Sequence, residues 1–519
     1  MIHPYAHYPA RAARRWPEHI ALVDGERRCT YAELDARATR LARALAGRGL
    51  APGERVAVVQ ENRIEYVETV IAIARAGGVL VPLLGALTTA EHAFMVRDAE
   101  ARFIVALGAD EVPRAAAAAG EQAVVLSVTG GAGATDLAAL AKKESDQPLA
   151  VDRPPGSLAQ ILYTSGTTGN PKGVTHSYAS VAAAMGAWTT AFGVDLEDRL
   201  LGQLALSHFG GRAMDACWVA GATLVILPGP EPKAMLAAIA EHRITMILVI
   251  PTLLRMLLDH PDAQGADLSS LRAVVYAAAP AAPALVRRSL ERLGPVLYTG
   301  FGQTEAYGLN TFLDPAEHVA ALDAGGARLT SVGRECPAFA QVRICDEDGS
   351  EIAPGDVGEI CVCAPWTTPG FWKHPELDRE RLRDGWLRTG DLGQMDSDGY
   401  VFLADRKEDK IITGGFNVYP AEIEGALAEH PAVAECAVFA VPDPKWGEAV
   451  RAAVTLRRGM VAEPDALIAF CKERLARFKV PKAIDVLPEL PKSGVGKILR
   501  RVLRDPWWKD RERNVHGAE

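Results

Sequence analysis

The chain has 519 residues, of which 49% are hydrophobic and 23% charged, a composition typical of globular proteins. This length exceeds what a single hydrophobic core usually organises, so several domains or subdomains are expected. The formal net charge of −9 and the pI of about 5.8 argue against a nucleic-acid-binding surface. Any anionic ligand must therefore be attracted by local basic residues.

Cysteine usage and the N-terminal residues favour a reducing compartment. None of the eight cysteines forms a CxxC pair. Cys361 and Cys363 alternate in a predicted strand, and we interpret them as small hydrophobic residues rather than metal ligands. Residues 1–16 lack the apolar segment of a signal peptide, and charges or prolines interrupt the apolar runs before they could span a bilayer. We therefore expect a cytoplasmic protein.

The N-terminal half alternates helix and strand patterns. Apolar residues at helical spacing predict an amphipathic helix over residues 33–49. A buried strand is predicted over 55–59, a helix over 64–76 and a second strand over 78–82, and this β-α-β order implies a parallel sheet. Further strands are predicted at 102–105, 123–126, 222–227, 245–250 and 272–276.

The pattern changes near residue 340. Segments 341–344 and 358–362 are predicted strands separated by Asp-Gly and Pro-Gly turns, which indicates a β-rich lobe over about 335–405. The charged run at 405–410 (DRKEDK) is either a solvated turn or a domain junction. The residues that follow indicate a compact α+β domain.

We therefore predict an α/β fold. Its large N-terminal domain, residues 1–405, should contain parallel-rich sheets packed with helices plus the β-rich lobe. A small α+β domain should occupy residues 406–519. Such a division suits a chain of 519 residues.

The strongest local signal is the loop at residues 163–173 (YTSGTTGNPKG), which follows an apolar strand. Its glycines allow tight turns that expose backbone N–H groups, its hydroxyl side chains add donors, and Lys172 adds a positive charge. These features suit a polyphosphate ligand. The loop is not a Walker A motif, because Pro171 precedes the lysine where that motif has glycine. The predicted phosphate contacts are Thr164, Ser165, Gly166, Thr167, Thr168 and Lys172.

This loop resembles the signature of the adenylate-forming superfamily, which includes acyl-CoA synthetases, firefly-type luciferases and peptide-synthetase adenylation domains. An eleven-residue match disfavours the alternative of a polar surface turn. Five further family motifs follow the family order and cover nearly the whole chain. They are residues 31–34 (YAEL), 301–305 (FGQTE), 388–391 (RTGD), 405–406 with 414–424 (DR and GGFNVYPAEIE), and 491–497 (PKSGVGK). The chain looks most like acyl-CoA synthetases of the fatty-acid–CoA ligase type.

The resemblance implies an ATP site around residues 301–305. Phe301 replaces the family's tyrosine and is expected to pack against adenine together with Gly302. Thr304 is expected to contact the α-phosphate. Glu305, a hard oxygen ligand, is expected to bind Mg²⁺ on the ATP phosphates.

Three further segments complete the nucleotide site by resemblance. Ala278, Ala279 and Pro280 replace the usual glycine-rich stretch beside adenine. Asp391 is expected to accept hydrogen bonds from both ribose hydroxyls, and Arg406 to meet the same ribose.

The acyl site is indicated by residues 206–211 (LSHFGG). His208 occupies the position of the histidine that acyl-CoA synthetases carry near the carboxylate and thiol. Phe209 stands where amino-acid-activating domains have aspartate, which argues against α-amino acids. Arg212 falls where fatty-acid ligases often have an aromatic gate. It is either an acyl-pocket residue, a solvent-exposed side chain, or a partner of Asp215.

The C-terminal domain carries the remaining assignments, all by resemblance. Lys497 matches the catalytic lysine of adenylation, and Glu408 matches the pivot of a hinge that lets this domain rotate between two steps. The predicted CoA contacts are Gly414, Gly415, Trp446, Phe478, Lys479 and Lys482.

These assignments predict an ATP- and Mg²⁺-dependent ligase that makes acyl-AMP and then acyl-CoA, with a fatty or similar hydrophobic acid favoured. Two alternatives remain: a ligase that loads a carrier-protein pantetheine, and a non-enzymatic nucleotide-binding relative. The expected partners are a carboxylic acid and CoA, with no nucleic acid and no integral membrane segment; a homodimer is also considered. Arg11, Arg14 and Arg15 could contact a membrane surface, although a solvated helix face is the simpler interpretation.

Overall fold

The computed structural model describes residues 4–151, 154–164, 171–279, 281–336, 340–406, 409–413, 416–492 and 498–509. Contacts divide the chain into two compact units. Unit 1 comprises residues 1–279, 287–342 and 362–387, and unit 2 comprises residues 280–286, 343–361 and 388–519. The domain boundary at 405/406 stays a prediction. In the described ranges, no helix is both long and apolar enough to cross a membrane.

The helices vary from one turn to five. The α-helices are α1 Pro4–Arg15, α2 Tyr31–Gly47, α3 Ile64–Ala76, α4 Thr89–Asp98, α5 Val112–Ala119, α6 Leu137–Ala141, α7 Tyr178–Ala191, α8 Gly211–Ala220, α9 Pro232–His242, α10 Pro251–Asp259, α11 Pro283–Leu293, α12 Pro315–Asp323, α13 Pro375–Arg381, α14 Pro420–Ala428, α15 Pro464–Lys472 and α16 Arg500–Arg504. Short 3-10 helices occupy Ala109–Glu111, Pro261–Gln264, Ala327–Thr330 and Asp505–Trp507. Many of the helices begin with proline, whose fixed φ suits the first helical position.

The strands occur throughout the chain. They are β1 Ile20–Asp24, β2 Arg27–Thr30, β3 Arg55–Gln60, β4 Val79–Leu84, β5 Ala101–Ala106, β6 Val124–Ser127, β7 Thr135–Asp136, β8 Leu158–Thr164, β9 Lys172–Ser177, β10 Arg199–Gly202, β11 Thr223–Ile226, β12 Met246–Val249, β13 Ala273–Tyr276, β14 Leu297–Thr299, β15 Thr311–Phe312, β16 Arg334–Glu335, β17 Gln341–Cys345, β18 Gly358–Cys363, β19 Leu382–Arg383, β20 Trp386–Met395, β21 Val401–Arg406, β22 Ile411–Thr413, β23 Phe416–Val418, β24 Val433–Asp443, β25 Gly447–Leu456 and β26 Ala483–Val486.

One sheet of unit 1 has seven strands in the order β7-β6-β5-β3-β4-β8-β9. Its neighbouring strands are parallel except for the antiparallel pair of β8 and β9. The predicted β-α-β unit is confirmed as β3, α3 and β4. Helix α3 has the predicted bounds because Gly77, with φ of 79°, adopts the left-handed conformation that ends it.

The other seven-stranded sheet of unit 1 has the order β14-β13-β12-β10-β11-β1-β2. It is parallel except for β2, and it contains the strands predicted near 222, 245 and 272 as β11, β12 and β13. Helix α2 begins at Tyr31, two residues before the predicted start. The reason is a capping box, in which the Thr30 hydroxyl accepts from the Glu33 N–H and the Glu33 carboxylate accepts from the Thr30 N–H.

A single apolar cluster joins both sheets of unit 1 to helices α2, α3, α7 and α8. Trp218, Tyr66 and Tyr178 are among its largest fully buried side chains. Each buries its aromatic body between elements that are distant in sequence, so this cluster fixes the relation of the two sheets to each other.

Unit 2 contains two antiparallel arrangements. Strands β20 and β21 pair directly, and a five-stranded sheet has the order β23-β22-β25-β24 with β26 parallel to β25. Helices α14 and α15 supply Ile423, Leu427 and Leu467 to the core of that sheet. In β18, Cys361 is buried as predicted and burial raises its pKa to about 12, whereas Cys363 is partly exposed.

Candidate active site

The predicted phosphate loop connects β8 and β9, which pair in an antiparallel hairpin. Thr164 and Lys172 are direct partners in the antiparallel register, as are Tyr163 and Gly173. The two ends of the loop therefore lie side by side. Ser165, Gly166, Thr167 and Thr168 fall outside the described residues, and their roles stay predictions.

Close packing at Gly173 fixes the base of this hairpin. A Cβ atom there would lie 2.8 Å from Ile161 Cγ2 and 3.1 Å from Trp372 Cβ, so only glycine fits without displacement. The Trp372 N–H donates to the Gly173 carbonyl at 2.7 Å, and its indole N–H donates to the Asp98 carbonyl at 2.9 Å. The Tyr163 hydroxyl donates to the Asp98 carboxylate at 2.6 Å. These contacts hold the loop ends rigidly.

Residues 301–305 lie in a second loop of unit 1, between β14 and β15. The Phe301 N–H donates to the Thr311 hydroxyl at 2.8 Å, and the Phe301 side chain is buried. The Glu305 carbonyl accepts from the Thr368 N–H at 2.7 Å, while Glu305 itself is partly exposed. Gly302 is exposed. The backbone of the loop is therefore anchored while Glu305 remains partly accessible.

His176 joins the two loops. This β9 residue lies opposite Gln160 in the hairpin register, and its Nε2 lies 2.8 Å from the Thr304 carbonyl. Nε2 must carry the proton to donate there, which leaves Nδ1 as the unprotonated nitrogen. Burial lowers the pKa of His176 to about 3, so the ring is neutral at physiological pH. His176 thus positions Thr304 beside the phosphate hairpin.

The predicted adenine segment follows β13. Ala278 adopts a φ of 71°, the left-handed region that favours glycine. Glycine adopts this conformation without strain, which fits the glycine-rich stretch that is usual at this position. Ala278 and Ala279 are exposed, and Pro280 lies outside the described residues.

His208 lies three residues before α8, and Arg212 is the second residue of that helix. The Ser207 hydroxyl is 2.7 Å from His208 Nδ1, and His208 is partly exposed. Arg212 is buried rather than solvent-exposed: it forms an ion pair with Asp215 at 2.8 Å, one turn further along α8. Its guanidinium also donates to the Tyr307 hydroxyl and lies 3.6 Å from the centre of the Tyr307 ring.

The Arg212–Asp215 pair lines an internal cavity of about 10 Å³ within unit 1. Asp215 is buried, and burial raises its pKa to about 6, although Arg212 acts in the opposite direction. The residues around the cavity are Tyr66, Val70, Leu80, Pro82, Gln160, Leu206, Ser207, Arg212, Met214, Asp215 and Tyr307.

The motif at 388–391 lies in β20 of unit 2. The Arg388 guanidinium pairs with the buried Glu359 carboxylate at 2.8 Å, and the same carboxylate accepts from the Gly390 N–H at 2.9 Å. Gly390 has a φ of 75°, which requires glycine. The neighbours of Asp391 are thus fixed, and Asp391 is the direct register partner of Arg406 in β21. The two residues predicted to bind ribose therefore lie opposite each other.

One residue predicted to contact CoA, Phe478, belongs to an aromatic pair in unit 2, in which Phe416 is exposed and Phe478 is partly buried. Phe478 stacks on Phe416, with ring centres 4.6 Å apart and planes inclined by 25°. Lys479 Nζ lies 2.7 Å from both carboxylate oxygens of Glu422. Lys482 is exposed. Phe416 belongs to the motif at 414–424, but no contact was predicted for it.

Trp446 is exposed in the turn between β24 and β25. The next residue, Gly447, pairs with Thr413 in β22, and Thr413 also pairs with Phe416. One row of the sheet therefore brings the Trp446 turn towards the Phe416–Phe478 pair. Gly414 and Gly415 are not among the described residues.

Comparison with known proteins identifies the family. The model of the AMP-binding enzyme family matches residues 9–372, and that of the AMP-binding enzyme C-terminal domain matches residues 422–497. The chain belongs to the AMP-binding enzyme family. The predicted resemblance and the predicted α/β fold are confirmed.

Three similar proteins represent this family. The medium/long-chain-fatty-acid–CoA ligase FadD8 of Mycobacterium tuberculosis is 35% identical, covering 98% of this chain and 91% of its own. The fatty acid–[acyl-carrier-protein] ligase ScoC of Streptomyces coeruleorubidus is 36% identical, and the match covers 97% of this chain and 96% of ScoC. The crystal structure of ATP-bound MatB from Rhodopseudomonas palustris gives a TM-score of 0.87 at 32% identity, and the match covers 98% of this chain and 99% of MatB.

The family's catalytic lysine motif is described only at its ends. Lys492 and Ile498 form a bridge, and the Leu499 N–H donates to the Pro491 carbonyl at 2.8 Å, so the loop that carries Lys497 begins and ends at one place. Lys497 and Glu408, the predicted hinge residue, lie outside the described residues, as does the side chain of Arg406.

Sequence reasoning missed four polar residues of this AMP-binding enzyme: Gln160, His176, Asp215 and Tyr307. Asp215 was considered only as a partner of Arg212. Gln160 and His176 belong to the two strands that flank the phosphate loop, where they are register partners. Their closeness to this loop in the sequence was the signal that could have identified them. Tyr307 follows residues 301–305 by two positions and carries no motif of its own.

Proposed function

We propose that the protein is an ATP-dependent, AMP-forming acyl-CoA synthetase. Its predicted enzyme class, an acid–thiol ligase, is confirmed by CoA-ligase relatives at about 35% identity. The observation that best supports the mechanism is the hydrogen bond from His176 to Thr304. It holds the phosphate hairpin against the loop expected to contact the α-phosphate.

In the first step, a carboxylate oxygen of the acid attacks the α-phosphorus of ATP. The bond to the leaving pyrophosphate breaks, giving acyl-AMP. We assign Lys172, Thr304 and Lys497 to the phosphates, because fixed charges and donors stabilise the charge that moves to the leaving group. Asp391 and Arg406 are assigned to the ribose.

Glu305 fits a Mg²⁺ site, because its carboxylate lies on a partly exposed loop whose backbone is anchored by Thr368. When bound, Mg²⁺ would offset charge on the phosphate oxygens.

In the second step, the CoA thiol sulfur attacks the acyl carbonyl carbon, the bond to AMP breaks, and the thiol proton is released. We assign His208, held by Ser207, to the space beside the reacting carboxylate. The Phe416–Phe478 pair, Trp446, Lys479 and Lys482 are proposed to bind the CoA nucleotide. Aromatic faces suit its adenine and lysines suit its phosphates.

A domain rotation would connect the two steps. We propose that residues from 406 onward rotate about Glu408, so that the Lys497 loop serves adenylation and the CoA-binding residues serve thioester formation. A few residues that absorb a large φ/ψ change are sufficient for such a hinge.

The acceptor separates this proposal from a second candidate. ScoC supports a ligase that loads a carrier protein. Purified protein, ATP, Mg²⁺ and a panel of acids should release pyrophosphate, and free CoA should then give thioester faster than a pantetheine-bearing carrier protein. Faster loading of the carrier would favour the second candidate. No release of pyrophosphate with any acid would favour a non-enzymatic nucleotide-binding protein. A fatty-type substrate, a homodimer and the absence of nucleic-acid partners also stay predictions.

A further inference from the structure

The cavity beside Arg212 is polar for an acyl pocket. Six of its eleven lining residues carry hydrogen-bonding side-chain atoms, and its volume of about 10 Å³ matches one small polar group. These six residues are Tyr66, Gln160, Ser207, Arg212, Asp215 and Tyr307. A methyl terminus placed there would remove these polar atoms from water without offering them a hydrogen bond, which costs free energy.

The charges at the cavity cancel. Arg212 would attract a second carboxylate of the substrate if it stood alone. Asp215, at 2.8 Å, already supplies the opposite charge, and both side chains are buried. A further carboxylate would meet the repulsion of Asp215 in a place where water screens little. The pair therefore favours a neutral ligand group over an anionic one.

Two side-chain contacts place the cavity close to the residues assigned to the reacting end of the site. Ser207 lines the cavity and bonds to His208, which is assigned to the carboxylate. Tyr307 also lines the cavity, and its ring lies 4.7 Å from the ring of His176, which bonds to Thr304. The cavity therefore lies within two side chains of both His208 and Thr304, the residues assigned to the reacting carboxylate and to the α-phosphate.

We propose that the preferred acid carries a neutral hydrogen-bonding group, a hydroxyl or carbonyl, at the end remote from its carboxylate, and that the cavity beside the Arg212–Asp215 pair binds this group. The inference rests on the proposed acyl-CoA synthetase function and names its substrate class. Tyr307 and Gln160 provide the neutral donors and acceptors, while the ion pair excludes dicarboxylates.

The test compares acids that differ only at the remote end. One set is octanoate, omega-hydroxyoctanoate and octanedioate; the other is phenylpropanoate with its para-hydroxy and para-carboxy derivatives. In at least one set, kcat/KM for pyrophosphate release should be at least about tenfold higher for the hydroxy acid than for the other two members. Equal or better use of the parent acid in both sets, or preference for the dicarboxylate, would overturn the inference while leaving the proposed function intact.

Tyr307→Phe and Tyr178→Phe form a matched pair of variants. Both remove one hydroxyl from a tyrosine of unit 1, but Tyr178 does not line the cavity; its hydroxyl lies 3.3 and 3.2 Å from the carbonyls of Ala74 and Gly78. Tyr307→Phe should shrink the ratio of kcat/KM between hydroxy and parent acids severalfold, and Tyr178→Phe should preserve it. An unchanged ratio in Tyr307→Phe would contradict the assignment. If no acid supports pyrophosphate release or thioester formation in the wild type, the proposed function fails and the inference fails with it.

Discussion

Glu359→Gln should destabilise unit 2 and weaken ATP binding together. The Glu359 carboxylate is buried, pairs with Arg388 at 2.8 Å and accepts from the Gly390 N–H at 2.9 Å. A glutamine offers one acceptor oxygen where the carboxylate offers two, and it removes the negative charge that pairs with Arg388. Breaking a buried ion pair typically costs about 3–5 kcal/mol. Because Arg388 keeps hydrogen bonds to the carbonyls of Glu347 and Asp346, we expect the free energy of unfolding to fall by about 3 kcal/mol, the lower end of this range.

The effect on ATP follows from the position of Asp391, which comes directly after Gly390. Loss of one well-placed hydrogen bond to a charged group costs about 1.5–3 kcal/mol, so KM for ATP should rise about tenfold or more. The assays are urea unfolding and pyrophosphate release at varied ATP. Glu473→Gln is the matched control, since this glutamate of unit 2 has a side chain that is 74% exposed and pairs only at the surface; its cost should stay below about 0.5 kcal/mol. Wild-type unfolding and wild-type KM for ATP in Glu359→Gln would refute the reasoning.

Three further changes test the other assignments. Lys497→Ala should slow adenylation by about 100- to 1,000-fold, the typical cost of one preorganised charge contact, yet leave CoA transfer from synthetic acyl-AMP largely intact; wild-type adenylation would disprove the assignment. Glu408→Pro should fix φ at the pivot, so that pyrophosphate release persists while thioester formation falls; equal loss of both would argue against rotation. His176 has a folded pKa of about 3, below the unfolded value near 6.5, so its contribution to stability should be lost as pH falls through this window, by up to about 1.4 kcal/mol per pH unit. Urea unfolding at pH 7 and pH 5 should show a smaller loss in His176→Gln than in the wild type, and identical losses would contradict a buried neutral ring.

Local signals account for the elements that the sequence predicted well. Helix α3 was predicted with its observed bounds because apolar spacing and a terminal glycine act within a few residues. Helix α2 was shifted by two residues because the Thr30–Glu33 capping box was not considered. The parallel arrangement of β3 and β4 followed from alternation of strand and helix.

The candidate site was predictable only in part. Motif resemblance predicts ligand contacts for Thr304, Asp391 and Arg406, and the register partnership of the last two is consistent with one shared ligand. The contacts made by His176 and Tyr307 join residues that are more than 90 positions apart in the chain. Neither periodicity nor local spacing carries information about such contacts, so a single sequence could not reveal them.

The ion pair between Lys479 and Glu422 reduces the positive charge available to ligands beside the Phe416–Phe478 pair. A lysine that meets both oxygens of a carboxylate at 2.7 Å adds almost no net field in its surroundings. ATP and pyrophosphate, both polyanions present during turnover, therefore gain little from this lysine unless the pair opens. The flat surface of Phe416 and Phe478 has no such restriction. Selection among ligands should then depend on stacking of a nucleotide base on Phe416 and Phe478. Lys479 should leave Glu422 and bind a phosphate only when the base of the ligand is already stacked there.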